Sequence, residues 1–170
     1  MTIVTRLATA GLVAAGLIAS FPAAAAIGPH AARCNAGETA VVVNVTGFRE
    51  RTGTLRVQIY EANSRTFLER GQYLARVELP VTRSGDMAVC MPVEAAGRYA
   101  VMVRHDANGN GRSDRSDGGG FSGNPNVSLL DMALKRKPSM SRVAFEVGER
   151  PARINVVLNY VSGTTFRPVS

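Results

Sequence analysis

Short runs that alternate apolar and polar residues, each closed by glycine, proline or a polar turn, constrain this chain more than any other feature. In residues 54–60, Leu55, Val57 and Ile59 fall on one side and Arg56 and Gln58 on the other. That is the period of a half-buried strand. Residues 40–46 are β-branched, and residues 73–81 alternate from Tyr73 to Val81. Met87, Val89, Met91 and Val93 form an inward row that leaves Cys90 out of phase, facing outward. Residues 97–105 are apolar on both faces and read as a central strand. Residues 141–147 and 153–160 supply the last two runs, with Val143, Phe145 and Val147, then Ile154, Val156, Leu158 and Tyr160, inward. Seven such runs predict an all-β fold, an antiparallel seven-stranded β-sandwich over residues 40–160. Two helical pieces interrupt it: a turn capped by Ser64 that carries Phe67 and Leu68, and a helix over 128–137 opened by Ser128 and Asp131. Residues 27–39 read as an irregular arm and 161–170 as a loose tail.

The first 26 residues read as a secretory signal peptide: Arg6 ahead of an uncharged apolar run, then the small residues Ala23 to Ala26. The run is shorter than the about 20 residues a membrane-spanning helix needs, so cleavage after Ala26 is expected, with a periplasmic or secreted product and no transmembrane span. Removing 26 of 170 residues leaves 144, one domain. The formal charge of +7 falls to +6 without Arg6. The arginines are scattered and tryptophan is absent, which argues against nucleic acid. One basic cluster stands out, Lys135-Arg136-Lys137. Cys34 and Cys90 are the two cysteines. In an oxidising compartment they predict one disulfide.

Residues 106–117 carry the only chemistry the sequence suggests. With Asp106 as position one, Asp106, Asn108, Asn110, Asp114 and Asp117 fall at one, three, five, nine and twelve, and Gly111 at the sharp turn. That is the register of a calcium loop, with Arg112 at position seven contributing its backbone carbonyl. A strand precedes the loop and glycines follow, so it is not an EF-hand. Three carboxylates ending in Asp predict weak binding, Kd about 10⁻⁴–10⁻³ M. His105 and Asp106 point to opposite faces of a strand and make no dyad. His105 is expected to bond loop backbone, and Tyr99 either to tie a turn or simply to pack in the core. No serine sits in a nucleophile elbow, so no catalytic residue is assigned and the chain reads as a non-enzyme.

At Gly97, Tyr99 and Ala100, at His105, Asp106, Asn108, Asn110, Gly111 and Asp114, and at Gly120, Phe121 and Ser122, the chain resembles the bacterial exported family catalogued as domain of unknown function 2141. It departs from that family's pattern at Asp117-Gly-Gly-Gly, where a Pro and a Glu are usual. The resemblance implies a prealbumin-like or immunoglobulin-like sandwich and no assigned activity. The function expected is a structural or binding module of the cell envelope with a calcium-stabilised loop, its partner another envelope protein or surface component. The alternatives are a small-ligand carrier of transthyretin type and a hydrolase on the same fold.

Overall fold

A computed structural model describes residues 25–169. Residues 1–24, most of the segment expected to be a signal peptide, lie outside the described residues. Among those described, no helix is long and apolar enough to cross a membrane.

The chain runs α1 (Ala31–Asn35), β1 (Ala40–Thr46), β2 (Thr54–Glu61), β3 (Ala75–Pro80), β4 (Met87–Pro92), β5 (Gly97–Asp106), β6 (Gly118–Phe121), α2 (Leu129–Ala133), α3 (Met140–Val143), β7 (Phe145–Val147), β8 (Ala152–Val157), β9 (Asn159–Ser162) and β10 (Thr165–Pro168). A small sheet has the order β4-β1-β8. A large sheet has the order β10-β9-β6-β5-β2-β3, with β7 also on β5. The inward rows of both sheets meet in one core that includes Val41, Val43 and Val45, Leu55, Val57 and Ile59, Met87, Val89 and Met91, and Val101 and Val103. This is the expected all-β, two-sheet, sandwich-like fold.

Several details differ from the expectation. There are ten strands among the described residues rather than seven, and β8 runs parallel to β1. The run 153–160 is two strands: β8 pairs with β1 in the small sheet and β9 pairs with β6 in the large one. The chain changes sheet at Leu158, whose N–H bonds to the Thr46 carbonyl at 3.0 Å. Alternation gave no sign of the break because Val156 and Tyr160 face the same core from opposite sheets. The run 141–147 is likewise divided. Val143 belongs to α3 and is buried on the outer face of the large sheet with Tyr60, Phe67 and Ala100, whereas Val147 is in the inter-sheet core.

The arm is not irregular. Ile27 makes a parallel bridge to Val89, and α1 follows it. The arm covers the outer face of the small sheet, where Ala26, Cys34, Ala40, Val42, Ala88 and Cys90 are buried together. Cys34 and Cys90 form the expected disulfide, Cα–Cα 6.0 Å. The tail is not loose: β10 folds back on β9, Thr165 opposite Ser162. The turn before Phe67 is capped by Asn63 rather than Ser64, the Asn63 side chain accepting the Arg65 N–H at 2.9 Å. The helix opened by Ser128 keeps its Ser128–Asp131 capping box but ends at Ala133.

Candidate functional site

The candidate site lies on the outer face of the large sheet, where β5 delivers the chain into the loop 107–117. Strand alternation decides which groups reach it. Val103 and His105 face the core, Met102, Arg104 and Asp106 the outside. His105 is fully buried. Its Nε2 bonds the Thr52 carbonyl at 2.8 Å and its Nδ1 the Tyr160 hydroxyl at 2.6 Å. The carbonyl accepts only, so Nε2 carries a hydrogen and donates it to Thr52. Burial pushes the Tyr160 pKa up, keeping that hydroxyl a donor. Both imidazole nitrogens are thus committed to holding β5 and β9 to the 47–53 loop. The expectation that His105 bonds loop backbone holds, and Tyr99 does tie a turn, its hydroxyl donating to the Ala95 carbonyl at 2.7 Å.

The six expected calcium donors divide into two groups. Asp106, Asp117 and the Arg112 carbonyl turn inward onto the buried Arg104 guanidinium. Arg104 Nη2 lies 3.3 Å from Asp106 Oδ2 and 3.1 Å from Asp117 Oδ2, and it donates to the Arg112 carbonyl. These side chains are about nine-tenths buried. A guanidinium in a planar fork suits two carboxylates and a carbonyl. The Asn108 and Asn110 amides turn outward with Asp114, donating from Nδ2 to Asp114 Oδ2 at 2.8 and 2.7 Å. Ser116 donates to Asp114 Oδ1 from both its hydroxyl and its N–H. Those bonds, the Ser116 hydroxyl first, hold the exposed Asp114 carboxyl well below the usual carboxylate range. The tight wrap is as expected: Gly111 has φ +74°, and Asp106 accepts the N–H groups of Asn110 and Gly111 at 3.2 and 2.8 Å.

Among the described residues no three acidic, histidine or cysteine side chains group so as to hold a metal. The donors remain right in kind for calcium, being carboxylate, amide and carbonyl oxygens, and Asp117 Oδ1 is buried with no partner. An ion here has to share Asp106 and Asp117 with Arg104.

Sequence reasoning missed the groove beside the loop, a cavity of about 520 Å³. Its apolar lining includes Met102, Gly119 and Phe121 from the large sheet, Val127, Met132 from α2, and Phe166 from β10. The three glycines of β6 explain why it exists. A Cβ on Gly118 would overlap the Tyr160 ring, and one on Gly120 would overlap Val156, so both face the core and have no room. Gly119 faces outward, where a Cβ would meet only ordinary contacts, the nearest being Phe166 at 3.6 Å. Its missing side chain leaves the floor of the groove open. The signals available in the sequence were the Gly118–Gly120 run and Arg104 two positions before Asp106.

The fold and site together define a small two-sheet β-sandwich domain that carries an arginine-anchored polar loop beside an apolar groove. The chain belongs to the family described as an uncharacterized protein conserved in bacteria, domain of unknown function 2141 (DUF2141), whose family model matches residues 43–155. No significant match is found among curated proteins or solved structures.

Proposed function

We propose that this is an exported binding module of the bacterial envelope, and that its binding surface is the groove on the outer face of the large sheet. One observation carries the reading: a cavity of about 520 Å³ with a largely apolar lining, within the roughly 300–1,000 Å³ typical of small-molecule sites. The groove favours binding over a purely structural role. It lies outside the sandwich, on a single copy, unlike the dimer channel of transthyretin-type carriage. Export is supported by the Cys34–Cys90 disulfide, a bond that persists in oxidising compartments. Ala26 is buried and donates its N–H to Asn35 Oδ1 at 3.3 Å, which favours cleavage before Ala26 over cleavage after it. Intact mass of the exported protein should therefore begin at Ala26 or just ahead of it, and an uncleaved cytoplasmic product would overturn export. The binding reading is tested with the neutral apolar fluorophore N-phenyl-1-naphthylamine. It should brighten with a saturable, one-to-one isotherm, and a flat titration would sink the reading.

A second reading, weak calcium binding in the loop, is favoured by the unpartnered Asp117 Oδ1. Asp106, Asn108, Asn110, Asp114, Asp117 and the Arg112 carbonyl are the donors. Melts in millimolar calcium should exceed those in chelator, magnesium should do less, and Asp106→Ala should remove the difference. Identical melts with no heat of binding would dismiss the ion.

A further inference from the structure

We infer that the groove takes a single-chain amphiphile with a terminal carboxylate, the chain lying over Gly119 and the acid group seated at Lys135 and Arg136. The inference rests on the binding role proposed above and adds the chemistry of the ligand. The groove has two polar ends of different sign. At one end the loop contributes Ser113, Asp114 and Asp117. There the Arg104 guanidinium already lies against Asp117 and Asp106, so two carboxylates share one cation and Asp114 adds a further negative charge. An acid group is repelled from that end. At the other end Lys135, Arg136 and Lys137 line the rim. Lys137 is paired with Glu69, and Arg136 stands 3.8 Å from Asp131. Lys135 has no carboxylate partner among the described residues, and Arg136 is largely exposed. This end therefore holds one free cation and one half-engaged one.

Between the ends the lining side chains are apolar except Glu69, which Lys137 neutralises. A ligand whose middle carried hydroxyl or amide groups would bury them unpaired, at a cost. A methylene chain buries nothing polar and gains from every group it places over Met102, Gly119 and Phe121. Met102 and Met132 are flexible enough to follow such a chain. The occupant that satisfies both ends and the middle is a saturated carboxylate bound as a monomer.

Displacement of N-phenyl-1-naphthylamine by decanoate, by decanol and by the shorter and longer carboxylates tests this. In low salt decanoate should bind about tenfold more tightly than decanol, the scale of one partly exposed charge-assisted contact. Each added methylene should tighten binding about threefold to fourfold until the chain fills the groove. Lys135→Glu should bring the decanoate-to-decanol ratio to one or below. Gly119→Leu, which fills the floor, and Met132→Glu, at the exposed wall, should each abolish displacement while melting as the parent does. If the fluorophore binds but decanoate and decanol compete equally, carboxylate recognition falls and the apolar groove stands. If the fluorophore does not bind, or binds undiminished in Gly119→Leu and Met132→Glu, the groove itself is not the site and both readings fall. Binding to anionic vesicles without displacement by monomeric decanoate would overturn the monomer in favour of a lipid surface.

Discussion

The two sheets bury their inner faces against each other, but their outer faces end differently. On the small sheet the arm lies flat, Ile27 hydrogen-bonds with Ala88 and Cys90, and the disulfide fixes α1 over Val42 and Ala88. On the large sheet one half is covered by Phe67, Val143 and Met140. The other half carries the groove, between the polar loop and α2, with Phe166 of β10 also in its wall. The closed face is held by a covalent bond and small, complementary residues. The open face has an ion pair under its loop and a bare glycine, Gly119, under its groove. The contrast separates residues that keep the domain together from residues free to serve a ligand, and each prediction below tests where that line falls.

The largest effect is expected on the closed face. Replacing both Cys34 and Cys90 by alanine removes a cross-link between residues 56 apart, for which loop entropy gives about 4 kcal/mol. Urea unfolding should show that loss, while fluorophore binding to the folded protein stays unchanged because the groove is on the opposite sheet. Altered binding in the folded double mutant would mean the two faces are coupled.

Next comes the anchor of the open face. Arg104→Leu leaves Asp106 and Asp117 buried without their counter-charge, a change of about 3 kcal/mol. The same variant sharpens the calcium question. With the guanidinium gone, the two carboxylates and the Arg112 carbonyl are free to take an ion, so the gap between melts in calcium and in chelator should widen relative to the parent. A gap unchanged from the parent's would show that Arg104 does not compete with calcium.

Gly118 and Gly119 are adjacent but face opposite ways, and their alanine variants divide the core from the groove by one residue. Gly118→Ala pushes against the Tyr160 ring and should cost about 1–3 kcal/mol as overpacking. Gly119→Ala meets no close contact and should stay within about 0.5 kcal/mol of the parent. Equal losses would show that Gly119 is structural too.

The same contrast explains what was legible beforehand. Period-two runs identified the inward rows of both sheets because burial on one face imposes that spacing. The phase of Cys90 against Met87, Val89 and Met91 placed its thiol on the outside, where the arm reaches it. The sheet change at Leu158 was invisible, since residues facing one core from two sheets keep the same alternation. The arm was misread because its order comes from long-range partners, a bridge to Val89 and a bond to Cys90, and its helix is only five residues long with no side-chain cap. In the loop the spacing of oxygens was legible but their target was not. Sequence gives the donors of a cation site without saying whether the cation is a metal ion or an arginine two residues upstream. The groove was hidden for a related reason. It is made by a missing side chain at Gly119 and by Phe166, 47 positions away in the chain, and a run of three glycines reads first as a turn.

The smallest effect belongs to the most exposed part of the open face, the outer half of the loop. Asp114 accepts from Ser116, Asn108 and Asn110, and its carboxyl is held well below the ordinary value, chiefly by the Ser116 hydroxyl. A group whose pKa is lower in the folded state favours folding above its unfolded pKa of about 3.9, and the benefit is lost as pH falls through the folded value. Neutral and mildly acidic buffers should therefore leave the loop intact, with any loosening confined to below about pH 4. Because Asp114 is open to solvent, the change should be local, seen in the amide exchange of residues 108–116 rather than in the global melt. Carboxyl carbon shifts followed through an acid titration should show Asp114 still ionised where an ordinary aspartate is half-protonated. Ser116→Ala should move its midpoint back toward the usual range. An ordinary midpoint in the parent protein would mean that Ser116, Asn108 and Asn110 do not hold Asp114 in solution, leaving the loop to its Arg104 and Asp106 contacts.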